Sequence, residues 1–105
     1  MTEFIIVTTT TGTRHDAERI ATELVARRLA ACAQVAGPIR SIYRWKGEIE
    51  DSEEWLCTAK TGEAQLAAID SLLREVHPYE VPELVATPIV GASAAYLEWL
   101  GEQVV

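Results

Sequence analysis

"CAQVAGPIRSIYRWKGEIEDSEEWLCTAKT", residues 32–61, is the stretch that decides the fold. It is rich in β-forming residues and is punctuated at Gly37-Pro38 and at Lys46-Gly47. Proline cannot donate to a β-ladder, so Gly37-Pro38 marks a bulge or bend. Lys46-Gly47 has the chemistry of a tight turn. Trp55, Cys57 and Ala59 alternate with Leu56, Thr58 and Lys60, which is the period of a strand. The stretch therefore reads as one long hairpin, and the rest of the chain must be arranged around it.

On its N-terminal side, "FIIVTTT" (4–10) is a short β-rich run and the period then changes. Ala17, Ile20, Ala21, Leu24 and Val25 follow the spacing of one helical face. Thr13 is placed to cap this helix, with Asp16 three residues on, and Arg27 and Arg28 suit the dipole of its last turn. On the C-terminal side, Leu66, Ile69, Leu72, Leu73 and Val76 form a second apolar helical face. The helix ends at His77, because the residue before Pro78 is pushed out of the α region. "VPELVATPIV" (81–90), bounded by Pro82 and Pro88, reads as the fourth strand, and "SAAYLEWL" (93–100) as a short closing helix capped by Ser93.

The order is βαβ twice, followed by a short C-terminal helix. An internal echo agrees: Thr11-Gly12 recurs as Thr61-Gly62 and "VAGPI" (35–39) as "VATPI" (85–89), both at an offset of 50. The expected fold is α+β, a ferredoxin-like βαββαβ sandwich with a four-stranded antiparallel sheet and a long central hairpin. The 105 residues form a single domain on this reading. Two helices cover only one face of such a sheet. Ile39, Ile42, Tyr43, Trp45 and Ile49 are too apolar to stay wet on both sides, so a closed homo-oligomer is expected.

Composition narrows the function. A formal net charge of −7 disfavours phosphate backbones and anionic membranes, so no nucleic acid and no membrane partner is expected. No apolar run approaches the ~20 residues of a membrane span, and "MTEFIIVTTTTG" is not an export signal. A cytoplasmic location follows as the expectation.

Chemistry candidates are few. Cys32 and Cys57 lack C-x-x-C spacing, and pairing about Lys46-Gly47 puts Cys32 opposite residue 61 and Cys57 opposite residue 36. That offset is ~13 Å at strand rise, too far for a disulfide. His77 sits at a helix C-terminus, which favours a cation, and Glu75, Glu80 and Glu83 offer oxygen ligands nearby. The alternative is a histidine placed by Pro78 and the helix end. Lys60, just before Thr61-Gly62, is the best-placed residue for holding an anion. No nucleophile and base can be paired by spacing, so the chain reads as a non-enzyme.

"ERIATELVARRLAACAQV", "SIYRWKGEIE", "EEWLCTAKT", "HPYEVPELVATPIV" and "YLEWL" resemble, in order and spacing, the CutA family of divalent-cation tolerance proteins. The resemblance implies a homotrimer that binds or signals in tolerance of divalent metals, notably copper. It places copper ligands at a cysteine ending the first strand and at two histidines before Pro-Tyr. Here Thr9 and Val76 occupy two of these positions and His77 the third, so His77 with Glu83 is the metal expectation. Tyr43, Trp45, Lys60, Tyr79, Glu83 and Trp99 also match and are expected to line a cleft between subunits. A similar plan in the trimeric PII regulators gives the alternative, a sensor of a small anionic metabolite.

Overall fold

The computed structural model describes residues 4–105, and its elements follow the order expected of two interleaved βαβ units. They are β1 (Phe4–Thr11), α1 (Arg14–Ala26), β2 (Cys32–Trp45), β3 (Glu48–Gly62), a 3₁₀ turn (Glu63–Gln65), α2 (Leu66–Val76), β4 (Val85–Pro88) and α3 (Ala94–Gln103). The strands form one antiparallel sheet in the order β2-β3-β1-β4, the ferredoxin-like arrangement. The echo maps onto this order. Its "VAGPI" and "VATPI" copies lie on the two edge strands, where proline is tolerated. Thr11 and Thr61 are both fully buried, and each donates its hydroxyl to a backbone carbonyl, Thr13 O at 2.7 Å and Leu29 O at 2.6 Å.

The hairpin turn at Lys46 and Gly47 has φ of 50° and 83°. Two left-handed residues make a primed turn, whose twist matches that of the strands it joins. Below it, pairing runs from Trp45↔Glu48 to Ile39↔Glu54 and then slips across Gly37-Pro38 to Ala36↔Leu56. Cys32 consequently faces Lys60 and Cys57 faces Val35, one residue from the register expected without the bulge. Both cysteines are free thiols.

Ile5, Val7, Cys57 and Ala59 point to one face, where Ala17, Ile20 and Leu24 of α1 and Ile69, Leu72 and Leu73 of α2 cover them. Val25 falls outside this core at 42% exposure. Thr13 Oγ1 accepts from Asp16 N at 3.1 Å and Ser93 Oγ from Tyr96 N at 3.2 Å, so both expected caps are made. α1 stops at Ala26, so neither Arg27 nor Arg28 lies in its last turn. Arg28 turns left-handed at φ 58°, and its guanidinium donates to the carbonyls of Glu102 (2.8 Å) and Gln103 (2.9 Å), capping α3 instead.

The other face of the sheet carries Ile6, Thr8, Leu56, Thr58, Val85 and Thr87, which the β1, β3 and β4 register sets side by side. α1 and α2 pack on the opposite side, and α3 reaches only the edge of this face, where Gly101 lies against the Phe4 ring and the Tyr96 hydroxyl lies 3.6 Å from Cys32 Sγ. β4 is only four residues long, against the ten-residue run expected. His77 and Tyr79 are held beside the end of β1 by their hydrogen bonds to Thr10 and Glu54, and Pro82 has no N–H to extend the ladder. No helix among the described residues is long and apolar enough to cross a membrane.

Gly37 is the tightest point of the bulge. A β-carbon there would come within 2.8 Å of Trp55 Cε3. Gly37→Ala is therefore expected to destabilise the fold by ~1–3 kcal/mol, seen as a lower urea midpoint with an unchanged m-value.

Candidate functional site

β1 ends at Thr11, opposite Trp55, while β3 continues for another seven residues to Glu48 at the hairpin tip. Glu54 is the first residue of β3 to lose its β1 neighbour, yet it is only 5% exposed. The segment after α2 fills the gap. Pro78 stops the helix at His77, whose φ of −78° and ψ of 133° are extended, and the chain swings past the end of β1. The Tyr79 hydroxyl then donates to Glu54 Oε2 at 2.7 Å.

His77 holds this segment. It is 8% exposed, its Nε2 lies 2.9 Å from Thr10 O, and its Nδ1 accepts from the Tyr79 backbone N–H at 3.1 Å. Both ring nitrogens are therefore occupied within the chain. The His77 and Tyr79 rings are 4.9 Å apart at an interplanar angle of 58°. Burial pushes the imidazole below its ordinary pKa, opposed by the Thr10 carbonyl, Asp16 and Glu54. Tyr79 is pushed well above the usual phenol range, first by burial and then by its bond to Glu54. Glu83 is raised by partial desolvation and by the Glu54 charge. The site is thus short of positive charge: Glu54 makes no ion pair with the described residues, and its one hydrogen-bond donor is neutral.

The hairpin closes over one side. Lys46 Nζ reaches Glu80 at 3.5 Å and lies 5.5 Å from the centre of the Trp45 ring. The Tyr43 hydroxyl bonds Ser52 Oγ at 3.3 Å, and Tyr43 is near enough to Tyr79 to oppose its ionisation. Of the residues expected in a cleft, Tyr43, Trp45, Tyr79 and Glu83 belong to this end of the protomer. Lys60 and Trp99 belong to the other. Lys60 Nζ donates to Gln34 Oε1 at 3.0 Å, six residues along β3 from Glu54, or ~20 Å at strand rise. Trp99 packs on Tyr96, whose hydroxyl lies 3.6 Å from Cys32 Sγ.

With this geometry in view, the comparisons are specific. The family model for the CutA1 divalent ion tolerance protein matches residues 5–103. The chain belongs to the CutA1 family. It is 39% identical over 97 residues to the divalent-cation tolerance protein CutA of Thermus thermophilus, covering 92% of this chain and 94% of that one. A solved structure of the Thermus thermophilus protein superposes with a TM-score of 0.93 at 38% identity, each chain fully covered. CutA1 from Oryza sativa superposes at 0.94 with 34% identity, covering 98% of this chain and 94% of that one. The chain spans about half the length of its vertebrate relatives: 57% of the Xenopus laevis CutA homolog, at 44% identity over 82% of this chain, and 47% of human CutA, at 43% over 80%.

The metal positions implied by the family resemblance are not assembled in one chain. Thr9 points into the core, 4% exposed, with an Oγ1 that has no hydrogen-bond partner. It borders a cavity of ≈ 10 Å³ also lined by Val7, Leu24, Cys57, Ile69 and Leu73. Val76 packs against the apolar core. His77 has no free lone pair as its ring stands, and among the described residues no three His, Cys, Asp or Glu side chains come together as a metal cage. Glu54 is the site residue that pattern reading missed. The "EE" at 53–54 does not say which carboxylate is buried; only the point where β1 ends does.

Removing the Tyr79 hydroxyl strands a buried carboxylate. Tyr79→Phe is expected to cost ~1.5–3 kcal/mol, and adding Glu54→Leu should recover part of that loss. A double-mutant cycle by denaturant unfolding measures the coupling; additive effects would mean the contact is energetically idle.

Proposed function

We propose that this chain is a homotrimeric binding module of the CutA1 family, taking part in divalent-cation tolerance, with its cation site on the carboxylates of Glu54 and Glu83 beside Tyr79. One observation carries the binding reading: a nearly buried carboxylate whose donor is a neutral phenol gains most from an added positive charge. The sheet face bearing Ile6, Leu56 and Val85 supports self-association, since β-sheets with helices on one side need a cover for the other. In this reading His77 supports the site while oxygen atoms make it. Copper, the metal named by the family resemblance, prefers sulfur as Cu(I) and imidazole as Cu(II), whereas a carboxylate pair favours a hard divalent ion such as Mn(II).

A second reading is the PII-like one, an anionic metabolite held by Lys60. Its support is that Lys60 Nζ bonds a neutral amide and makes no ion pair with the described residues, on the uncovered face. Assembly around that face would bring Lys60 and Trp99 of one subunit towards Tyr43, Trp45 and Tyr79 of another.

Two measurements test these readings. Thr58→Arg puts a cation at the centre of the uncovered face and is expected to convert a trimer into monomers of 11.6 kDa in sedimentation velocity; a monomeric wild type would remove the trimer. Calorimetric titration with Mn(II) and with Cu(II) should show binding that Glu54→Gln and Glu83→Gln each weaken ~10-fold or more and that Lys60→Ala leaves alone. Equal heats in all four chains would assign the binding to general surface acidity.

A further inference from the structure

We propose that His77 is a positioning residue: a neutral, tautomer-locked imidazole that fixes the backbone at Tyr79 and thereby aims the Tyr79 hydroxyl at Glu54. The partners of the ring dictate its state. Thr10 O can only accept, so the Nε2 facing it at 2.9 Å carries the proton. The Tyr79 backbone N–H can only donate, so the Nδ1 it reaches at 3.1 Å carries the lone pair. A second ring proton would displace the Tyr79 N–H, and a metal on Nδ1 would do the same.

The geometry is that of a side-chain turn. An acceptor on residue i takes the backbone N–H of residue i+2, as Asn and Asp do in loops, and Pro78 between them fixes φ at the intervening position. What differs here is the other end of the ring. Its Nε2–H is tied to β1, so the turn is referenced to the sheet instead of floating on the surface. Tyr79 inherits that reference twice, through its N–H and through its ring, tilted at 58° with its centre 4.9 Å from that of the imidazole. Among the described residues the segment also meets the hairpin in the Lys46–Glu80 pair at 3.5 Å, with both side chains 70% exposed, which is too solvated to set an orientation. The relay from Thr10 through His77 and Tyr79 to Glu54 is therefore what orients Tyr79 at the start of the segment, whose far end is held by Leu84 against the core.

This assignment concerns the hydrogen-bonded arrangement and holds whether or not Glu54 and Glu83 take a cation, which the calorimetry reads separately. It is tested by NMR on the full chain at neutral pH. In the wild type, the His77 ring ¹⁵N shifts should show a protonated Nε2 and an unprotonated Nδ1 that is not metal-bound after Zn(II) is added. The Tyr79 hydroxyl proton should exchange slowly enough to be observed. His77→Asn keeps an oxygen near the Nδ1 position and should retain that hydroxyl signal. His77→Gln keeps a donor near the Nε2 position but loses the acceptor, and hydroxyl exchange should become roughly tenfold faster, the opening expected from losing one neutral hydrogen bond. A purely structural histidine would leave the two variants alike, and that result overturns the proposal. So does a wild-type ring protonated at Nδ1, or one whose Nδ1 takes the shift of a metal-bound nitrogen on Zn(II) addition, and neither of these depends on a variant that folds.

Discussion

The central pairing of the sheet is between strands of unequal length. β1 has eight residues and β3 has fifteen, so β3 outruns its neighbour by half its length. Everything distinctive about the chain follows from that mismatch. Where both strands are present, alternation sends Cys57 and Ala59 under the helices and Leu56 and Thr58 to the opposite face. Where β1 is absent, β3 has only β2 beside it, and a two-stranded ribbon is marginal in water. The hairpin tip is stiffened by local means: a primed turn, the bidentate Arg40–Asp51 pair at 2.9 and 2.6 Å, and the Tyr43–Ser52 bond. The 44 Å long axis of the molecule reflects this projection.

The boundary between the two regimes is the one place where the chain must solve a polar problem. Glu54 sits at the step, and an ordinary loop would leave its carboxylate buried and unbonded at a cost of several kcal/mol. The segment from His77 to Leu84 solves this with neutral groups, a phenol and an imidazole, instead of a lysine or arginine. That choice has a consequence. An internal ion pair would complete the site and close it to ligands, whereas a neutral donor satisfies geometry and leaves the charge in place. The raised Glu83 carboxyl is a second sign of the same deficit.

Much of this was legible in the residues. Helical and strand periods located both helices and the hairpin, Thr13 and Ser93 announced their caps, and Pro78 fixed the end of α2 to the residue. Gly37-Pro38 told of the bulge but not of the single-residue slip in register it causes, because bulge type depends on the packing of Trp55 against Gly37. Arg28 looked like a helix-end cation and serves a helix 74 residues away in sequence. β4 was overread because 81–90 has strand composition, while side-chain bonds from the residues before it decide where pairing begins. His77 could be seen to end a helix; that both its nitrogens are spent could not, since one partner lies 67 residues upstream. Local signals are carried by local sequence, and each of these failures is a long-range contact.

The same division bears on how copies of so acidic a chain could associate. A net charge of −7 on each opposes association unless the acids are kept from the contact. Strand register and helix position keep many of them away from it. Glu48, Glu50, Asp51 and Glu53 lie on the projecting ribbon, beyond the end of β1. Asp16, Glu18 and Glu23 lie on α1, on the helical side. The uncovered face over β1 and β4 carries threonines and aliphatic residues, with Lys60 near one end of β3 and the phenol-capped Glu54 mid-strand, just past the end of β1. A surface of that composition loses little polar solvation on burial and meets little repulsion. The length mismatch that creates the Glu54 site thus also carries the ribbon's carboxylates away from the face that α1 and α2 leave open.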